Sequence, residues 1–479
     1  METSKPNNRL FIRDMGWYLV GSVIPMGVSF IKTPIFTRYF TPEEYGYLGI
    51  VTITFSYISI FLYSWLSSCL WRYYNAFKNK NNLRGLYSNM TAIYIGASVL
   101  MLIASGVWYL LAEHPLIRNL IMLSFLQFFI KEFIGLYLII IRLEGKALKY
   151  NVIHSARAVL SFAVLYWMAF VMHYRIEAVI LSAIFIDILA LLFILLFNRE
   201  GASISIKSVH KETLGLLLKF GSVGLVSNFF FMLITTSDRY IIALFTDMPT
   251  VGIYNQVYNI CQFSVVALVN VYFNTINPQL NKELELDFKN SDRLIQDYLF
   301  AFLMFGLPII TYLSMFPKEI AFILLGEDFR SGYIIMPWVF ISAFMYGLFL
   351  FIEIRFKFAD KLKNIAVGVI LGSILNIGLN FIMIPMYGYH WAAITTFISY
   401  LFILFYFYLQ DSVGFFRNKT YMRKTVVFIL ILLVQLVIDF FLRKNYSPKL
   451  WQTIAEGLLF FIIYLALIRN TIRKVKIPF

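Results

Sequence analysis

Charged residues are scarce in this sequence, and cysteine and histidine are scarcer still. Only 14% of the 479 residues are charged and 60% are hydrophobic, which excludes an ordinary soluble enzyme of this length. The two cysteines, Cys69 and Cys261, lie in apolar stretches, so we expect neither a structural disulfide nor a metal site. The five histidines are scattered and no glycine-rich phosphate-binding loop is present, so we predict neither a catalytic site nor ATP binding. The polar segment Met1–Met15 lacks the pattern of a cleaved signal peptide.

Long apolar stretches dominate the chain instead. They predict an all-α integral membrane protein with about fourteen transmembrane helices. The predicted spans cover residues 16–37, 47–70, 87–112, 116–141, 152–172, 178–197, 215–236, 251–277, 295–316, 332–353, 364–384, 390–409, 425–442 and 451–468. We group them into a six-helix bundle (residues 1–200), a second six-helix bundle (residues 201–412), and two additional helices with a cytoplasmic tail (residues 413–479).

Lysine and arginine are concentrated on one side of the predicted membrane. With these bounds, connections on the side that holds both termini carry 28 of the 41 basic residues, opposite connections carry 8, and five basic residues lie inside spans. Because positive residues accumulate on the cytoplasmic side, we predict a multi-pass protein with both termini in the cytoplasm. This topology also accounts for the net charge of +15, and no nucleic acid is expected as a partner.

The segment Val251–Asn277 is the most informative span, because a row of amides interrupts its apolar surface. At about 100° per residue, these amides fall within an arc of roughly 120° and form one polar stripe. Unpaired amides are costly in hydrocarbon, so the stripe must face other helices or a water-filled cavity. The stripe consists of Asn255, Asn259, Gln262, Asn270, Asn274 and Asn277.

A related pattern occurs in the first half of the chain. Thr52, Ser56, Ser59, Tyr63 and Ser67 follow a helical spacing within the second predicted span. In both halves, the striped helix follows an Arg-Tyr-apolar triplet and opens with a glycine. Since each half has six spans, we predict a parallel repeat in which both stripes line a cleft between the bundles. The alternative is that the polar side chains pack between helices.

Ionisable residues inside or beside the spans are candidates for binding an anionic substrate. Lys131 and Arg157 lie within the fourth and fifth spans, where charge is costly and usually functional. The structural alternatives are neutralisation of Lys131 by Glu132 and snorkelling of Arg157 to the headgroups. Arg38 and Arg239 occupy matching positions at the outer ends of the first and seventh spans.

The residues around these two arginines suggest a gate. Either arginine can bind the substrate, close an outer gate with Asp238, Glu43 or Glu44, or anchor a tight hairpin. Other polar residues in spans favour structural interpretations. The pair Asn376 and Asn380 is expected in helix packing, because small residues surround it. The acids Asp187, Asp439 and Glu456 are expected in salt bridges, with proton transfer as the alternative.

Four short motifs are distributed over most of the chain. Their residue ranges are 34–38 with 41–46, 238–240 with 252–254, 325–329, and 376–388 with 392–396. The fourth reads N-x3-N-x4-P-x2-G followed by A-A-x-T, from Asn376 to Thr395. Together these motifs resemble the Wzx-type O-antigen flippases of the multidrug/oligosaccharidyl-lipid/polysaccharide (MOP) exporter superfamily.

This resemblance implies a MATE-like fold and a transporter of undecaprenyl-diphosphate-linked oligosaccharide, an O-antigen, capsule or exopolysaccharide repeat unit. The lipid-linked unit would pass from the cytoplasmic to the periplasmic leaflet of a bacterial inner membrane, by alternating access through a polar, cationic cleft. Basic side chains suit the diphosphate, and amides and hydroxyls suit the sugars. Membrane lipids are expected partners, and a complex with a polysaccharide polymerase is compatible with the sequence.

Two other functions remain open. An ion-coupled multidrug antiporter of the same superfamily resembles this chain, but depends on an acidic residue in its first bundle. Here the first span contains only Lys32, with Asp14 at its mouth. A membrane glycan polymerase or ligase is expected to carry a large outer loop, whereas the longest outer connection here has about 15 residues. Proton or sodium coupling is compatible with the sequence, and no bound cofactor is predicted.

Overall fold

The computed structural model describes residues 23–197, 208–286, 292–359, 361–410, 418–445 and 450–474. Within these ranges the regular structure is entirely helical. The helices are α1 (Val23–Phe36), α2 (Pro42–Ser59), α3 (Trp65–Asn79), α4 (Leu83–Leu111), α5 (Pro115–Leu143), α6 (Ala147–Phe170), α7 (Glu177–Phe197), α8 (Lys211–Thr236), α9 (Asp238–Phe245), α10 (Met248–Leu286), α11 (Asp292–Met315), α12 (Pro317–Leu324), α13 (Met336–Phe358), α14 (Leu362–Tyr387), α15 (Trp391–Leu409), α16 (Lys419–Asn445) and α17 (Leu450–Lys474).

The predicted membrane fold is confirmed. In the described ranges, twelve helical segments are long and apolar enough to cross a membrane. The other two predicted spans correspond to the shorter apolar helix α1 and to α8. The start of the first predicted span and both chain termini lie outside the described residues. The predicted cytoplasmic location of the termini therefore stays a prediction.

The second predicted span is longer than expected and is interrupted by a different helical geometry. A π-helical segment, Ile60–Ser64, joins α2 to α3, and the three together form a continuous segment, Pro42–Asn79. A capping box begins α2. Thr41 Oγ1 accepts a hydrogen bond from Glu44 N at 3.3 Å, and Glu44 Oε2 accepts one from Thr41 N at 2.8 Å.

The chain divides into two compact units, Met1–Met232 and Leu233–Phe479. The boundary falls inside α8, whereas the sequence predicted a boundary before it, after residue 200. In the first unit, α5 is central and packs against α2, α4 and α7. The predicted three-part division into two bundles and an appendage stays a prediction.

In the second unit, α10 packs against α13, and α15 packs against both α13 and α14. The contact of α14 with α15 is close because Gly372 faces Ile403. A Cβ atom at Gly372 would lie 2.5 Å from the Ile403 side chain. Small residues permit this kind of approach between helices in a membrane, where hydrophobic attraction between helices is absent. The last two helices, α16 and α17, pack against α11.

Candidate functional site

Lys131 is exposed near the middle of the membrane-spanning helix α5. Its neighbour is the aromatic ring of Phe128, whose centre lies 4.6 Å from Nζ. Among the described residues, no carboxylate forms an ion pair with Lys131. A charged side chain exposed at this depth is costly in hydrocarbon, so its surroundings must be wet.

The neighbouring acid does not neutralise Lys131 directly. Glu132 Oε1 accepts a hydrogen bond from Ser59 Oγ at 2.7 Å, which links α5 to α2. Consecutive helical residues point about 100° apart, so Glu132 is turned towards α2 while Lys131 points elsewhere. Ser59 is a member of the first predicted stripe and directly precedes the π-helical segment. Short π-helical segments occur frequently at functional sites.

Arg157 forms an ion pair within the first unit. Its Nε and Nη2 atoms lie 2.9 Å and 2.6 Å from Asp187 Oδ1, joining α6 to α7. Lys131 also contributes to the electrostatic field at Asp187. The choice between a cleft position and snorkelling of Arg157 stays a prediction. The expected salt bridge of Asp187 with a neighbouring helix is confirmed.

Two further basic side chains extend this group towards the α5–α6 connection. The Arg142 guanidinium lies 5.3 Å from the Trp71 ring and 5.2 Å from the Tyr150 ring. Tyr150 stacks on His154 at 5.6 Å, and His154 lies in the field of both Arg142 and Arg157. Neither Arg142 nor His154 was predicted from the sequence as a site residue. The available signal for His154 was its position on one face of α6 with Tyr150 and Arg157.

The polar stripe on α10 is only partly covered by the rest of the protein. Three of its six amides, Asn259, Asn270 and Asn274, are exposed, and Gln262 and Asn277 are half-buried. Asn255 is buried, and its Oδ1 accepts a hydrogen bond from Asn259 Nδ2 at 3.3 Å. Exposed amides at membrane depth favour the cavity interpretation of the stripe over the packing interpretation.

Arg239 is fully buried in the second unit, with 1% of its surface exposed. Its Nη1 lies 2.6 Å from Asp238 Oδ1, and Asp238 Oδ2 accepts a short hydrogen bond from the Tyr254 hydroxyl. The guanidinium also lies 4.0 Å from the centre of the Tyr258 ring. This network fixes α9 on α10. A direct role of Arg239 in substrate binding stays a prediction and requires another conformation.

The hairpin around Arg38 has the same sequence motif as the hairpin around Arg239, but its charged side chains are arranged differently. Arg38 is exposed and donates a short hydrogen bond to the Pro34 carbonyl. Glu44 forms a two-point ion pair with Arg175, at 2.9 Å from Nε and 2.8 Å from Nη2. Glu43 is exposed and in hydrogen-bond contact with Tyr47. Arg175 was not identified in the sequence analysis, and the predicted gate of Arg38 with Glu43, Glu44 or Asp238 stays a prediction.

Comparison with known proteins decides the family. The family model described as "Polysaccharide biosynthesis protein" matches residues 11–280, more than half of the chain. The chain is a member of this family. No curated protein matches.

Solved structures show the same fold. The lipid II flippase MurJ in an inward closed conformation is similar, with a TM-score of 0.73 and 15% identity, covering 96% of this chain and 100% of that chain. The Vibrio cholerae MATE transporter VcmN has a TM-score of 0.58 and 12% identity, covering 86% and 98%. An inward-facing MATE transporter of the MOP superfamily has a TM-score of 0.55 and 11% identity, covering 85% and 96%. The predicted MATE-like fold is confirmed, and the resemblance to polysaccharide exporters agrees with the family model.

In this member of the polysaccharide biosynthesis family, the fourth motif packs helices together. Asn376, Asn380, Thr395 and Thr396 are completely buried between α14 and α15. Asn380 Nδ2 donates to Asn376 Oδ1 at 3.1 Å, and Asn376 Nδ2 donates to Thr396 Oγ1 at 3.3 Å. The packing interpretation of the two asparagines is confirmed.

The acids of the last two helices share one arginine. Arg443 contacts Asp439 at 2.8 Å, Glu319 at 2.6 Å and Glu456 at 3.4 Å. The expected salt bridge with a neighbouring helix is confirmed for Glu456, whereas Asp439 pairs with Arg443 within α16. Arg443 connects α16 with α12 through Glu319 and with α17 through Glu456.

Proposed function

We propose that this protein is a flippase for a lipid-linked glycan in a bacterial inner membrane. The observation that carries this proposal is the exposed ammonium group of Lys131 halfway through a membrane-spanning helix, without a paired carboxylate among the described residues. A lysine at this depth has a function only if water and an anionic ligand can reach its ammonium group. Membership of the polysaccharide biosynthesis family supports a glycan as part of the cargo.

The chemistry of the cargo fits the residues available. A diphosphate must cross about 30 Å of hydrocarbon while its prenyl tail stays in lipid. In the first unit, Lys131 supplies a positive charge for the diphosphate, and Arg157 supplies a second when the phosphate competes for its pair with Asp187. Arg142 extends the positive charge towards the α5–α6 connection. This series of basic groups gives an anionic head group successive partners.

The glycan requires different groups from the diphosphate. Exposed Asn259, Asn270 and Asn274 offer both donors and acceptors to sugar hydroxyls. Because an amide satisfies a hydroxyl in several orientations, such a wall accommodates sugars of different stereochemistry. We propose that Asn255 and Gln262 support this wall, with Asn255 holding Asn259 in place.

We infer that the cargo is an undecaprenyl-diphosphate oligosaccharide, moved from the cytoplasmic to the periplasmic leaflet by alternating access. The solved structure of a lipid II flippase with the same fold supports a lipid-linked cargo. Both termini then lie in the cytoplasm, as the distribution of lysine and arginine indicates. Carriage of an intact molecule makes the protein a transporter rather than an enzyme. Coupling to a proton or sodium gradient belongs to this proposal, as does association with a polymerase.

Vesicles that contain purified protein and an undecaprenyl-diphosphate oligosaccharide test the proposal. An externally added glycosidase should cut only about half of the glycan in protein-free vesicles, because the remainder faces the lumen. With the protein present, we expect digestion to pass well beyond half. Lys131→Ala should slow this phase roughly tenfold to a hundredfold, the size expected for one lost charge-assisted hydrogen bond. Lys131→Arg should retain most of the rate.

Lys80→Ala is the matched control, because Lys80 is exposed in the turn between α3 and α4, outside the spans. It should leave the rate unchanged. Digestion that stops at half, even with an imposed proton or sodium gradient, would exclude lipid-linked glycan as cargo. The multidrug antiporter would then become the leading hypothesis, and drug efflux from the same vesicles would test it.

A further inference from the structure

A cavity of about 670 Å³ lies within the first unit, at the end where α2, α5 and α7 begin. It is separate from Lys131, which lies near the middle of α5. Ligand pockets commonly have volumes of roughly 300–1,000 Å³, so this one is large enough for a small organic molecule. The lining residues are Glu44, Leu116, Asn119, Met122, Leu123, Tyr174, Arg175, Glu177 and Leu181.

One wall of this outer cavity is fixed by an ion pair and a capping box. Arg175 holds both carboxylate oxygens of Glu44, and Glu44 Oε2 also accepts the Thr41 backbone amide. The turn that delivers Arg175 depends on His173, whose φ of 58° lies in the left-handed region. This conformation is uncommon for residues other than glycine and reverses the chain after α6. The cavity therefore has a defined, pre-organised edge.

Three polar side chains of the cavity have no partner among the described residues. They are the Asn119 amide, the Tyr174 phenol and the Glu177 carboxylate, which come from α5, the α6–α7 turn and α7. Tyr174 exposes 43% of its surface, so its ring is accessible. These groups together offer a flat apolar face, a carboxylate acceptor and an amide that both donates and accepts.

The charges of the cavity discriminate between classes of ligand. Glu44 and Glu177 outnumber Arg175, and the Arg175 charge is already engaged by Glu44. A phosphate or an acidic lipid headgroup would therefore meet net negative charge. A sugar ring carries hydroxyls for the carboxylate and the amide, and C–H groups for the tyrosine face. An ammonium group on an amino sugar would find Glu177.

We propose that this outer cavity is a saccharide-binding site for a neutral or amino sugar. The inference rests on the proposed function, since the sugar it receives is part of the translocated glycan. With the predicted topology, the cavity opens towards the periplasm. It would bind the glycan on the periplasmic side, separately from the basic residues that contact the diphosphate.

Protection of an introduced cysteine tests the site directly. Met122→Cys places a thiol in the cavity wall without removing a polar group, and the two native cysteines are buried, which limits background labelling. We would measure maleimide labelling of the purified protein in detergent with glucose, galactose, N-acetylglucosamine or glucosamine. At least one sugar should slow labelling several-fold. Glu113→Cys, exposed at the same end but outside the cavity, should show no protection.

Second substitutions in the Met122→Cys protein identify the groups responsible. Tyr174→Ala should abolish the protection, and Glu177→Gln should raise the half-protecting sugar concentration roughly tenfold. Tyr166→Ala is the control, because this exposed tyrosine does not line the cavity. Protection by inorganic phosphate and not by sugars would overturn the proposal in favour of an anion site. Absence of protection by every sugar would overturn it as well.

The two proposals fail in different ways. If sugars protect Met122→Cys but the wild-type protein flips no lipid-linked glycan, the proposed function fails and the saccharide site stands. If flipping is observed and no sugar protects, the flippase stands and the saccharide site fails.

Discussion

The Arg157 guanidinium donates two hydrogen bonds to one oxygen of Asp187, at 2.9 Å and 2.6 Å, across the interface of α6 and α7. The carboxylate is 7% exposed and the arginine 19% exposed, so water screens this pair only weakly. In a membrane-spanning segment, each charge depends on the other for compensation. The pair is therefore a structural link between α6 and α7, and under the proposed function a substrate phosphate competes with Asp187 for the Arg157 charge.

Removing one member of this pair should destabilise the protein strongly. Asp187→Ala leaves the arginine charge uncompensated, and we expect a loss of about 3–5 kcal/mol, the typical consequence of breaking a buried pair from one side. The double variant Asp187→Leu with Arg157→Leu should recover most of the stability but not the flipping rate. Thermal unfolding in detergent measures the first effect and the vesicle assay the second. Glu353→Gln, which disrupts an i,i+4 pair with exposed Lys357, is the control and should change stability by less than about 1 kcal/mol.

The two repeated arginines should respond differently to the same substitution. Arg239→Met removes the partner of buried Asp238 and should cost about 3–5 kcal/mol of stability. Arg38→Met affects an exposed side chain and should cost less than about 1 kcal/mol. Denaturation curves of the two variants, measured side by side, make the comparison. Equal losses of stability would show that the two arginines contribute equally to folding, contrary to their difference in burial.

The exposed amides of α10 should matter for transport and little for folding. Replacing Asn259, Asn270 and Asn274 together by leucine removes hydrogen-bonding groups worth about 0.5–1.5 kcal/mol each to a bound sugar. We expect the flipping rate to fall at least tenfold while the melting temperature stays near that of the wild type. Asn376→Leu should do the opposite, since it leaves buried partners in the α14–α15 interface unsatisfied. A triple variant that flips normally would assign the stripe to packing or lipid contact.

The turn after α6 should tolerate glycine and reject branched residues. At φ 58°, His173→Gly relieves a left-handed conformation that costs a side chain about 1–2 kcal/mol, partly offset by the greater freedom of glycine in the unfolded chain. We expect a stabilisation of up to about 1 kcal/mol, whereas His173→Val should destabilise. Asn81→Gly, at φ 50°, should gain less, because asparagine tolerates this region better. Differential scanning calorimetry of the three variants would distinguish these effects.

Much of the architecture was predictable because membrane insertion imposes simple rules. A span needs about 20 apolar residues, and this length criterion predicted fourteen spans, twelve of which correspond to helical segments long and apolar enough to cross a membrane in the described ranges. The capping box at Thr41 and the small residues around Asn376 have equally local causes. The extension of α10 to Leu286 and the π-helical segment between α2 and α3 were not predicted. Continuous apolar sequence carries no mark of where a helix changes its hydrogen-bonding register.

The site was only partly predictable. Lys131 and Arg157 stand out because charge is rare inside a span. Their neighbours in sequence, however, did not indicate which residues they contact in the fold. Glu132, next to Lys131 in sequence, bonds to Ser59 on another helix. Asp187, thirty positions from Arg157, is the actual partner of that arginine. Likewise Glu44 pairs with Arg175, which no sequence motif linked to it.

By itself, the sequence determined that this chain crosses a membrane many times and that amides form a stripe on one helix, and it predicted that the two halves resemble each other. These features follow from hydrophobicity and helical periodicity, which act along the chain. Only the tertiary structure decided that Arg239 is buried while Arg38 is exposed, and that Lys131 has no paired carboxylate among the described residues. The physical reason is that exposure and ion pairing depend on which helix lies opposite, and packing brings together residues that the chain keeps far apart.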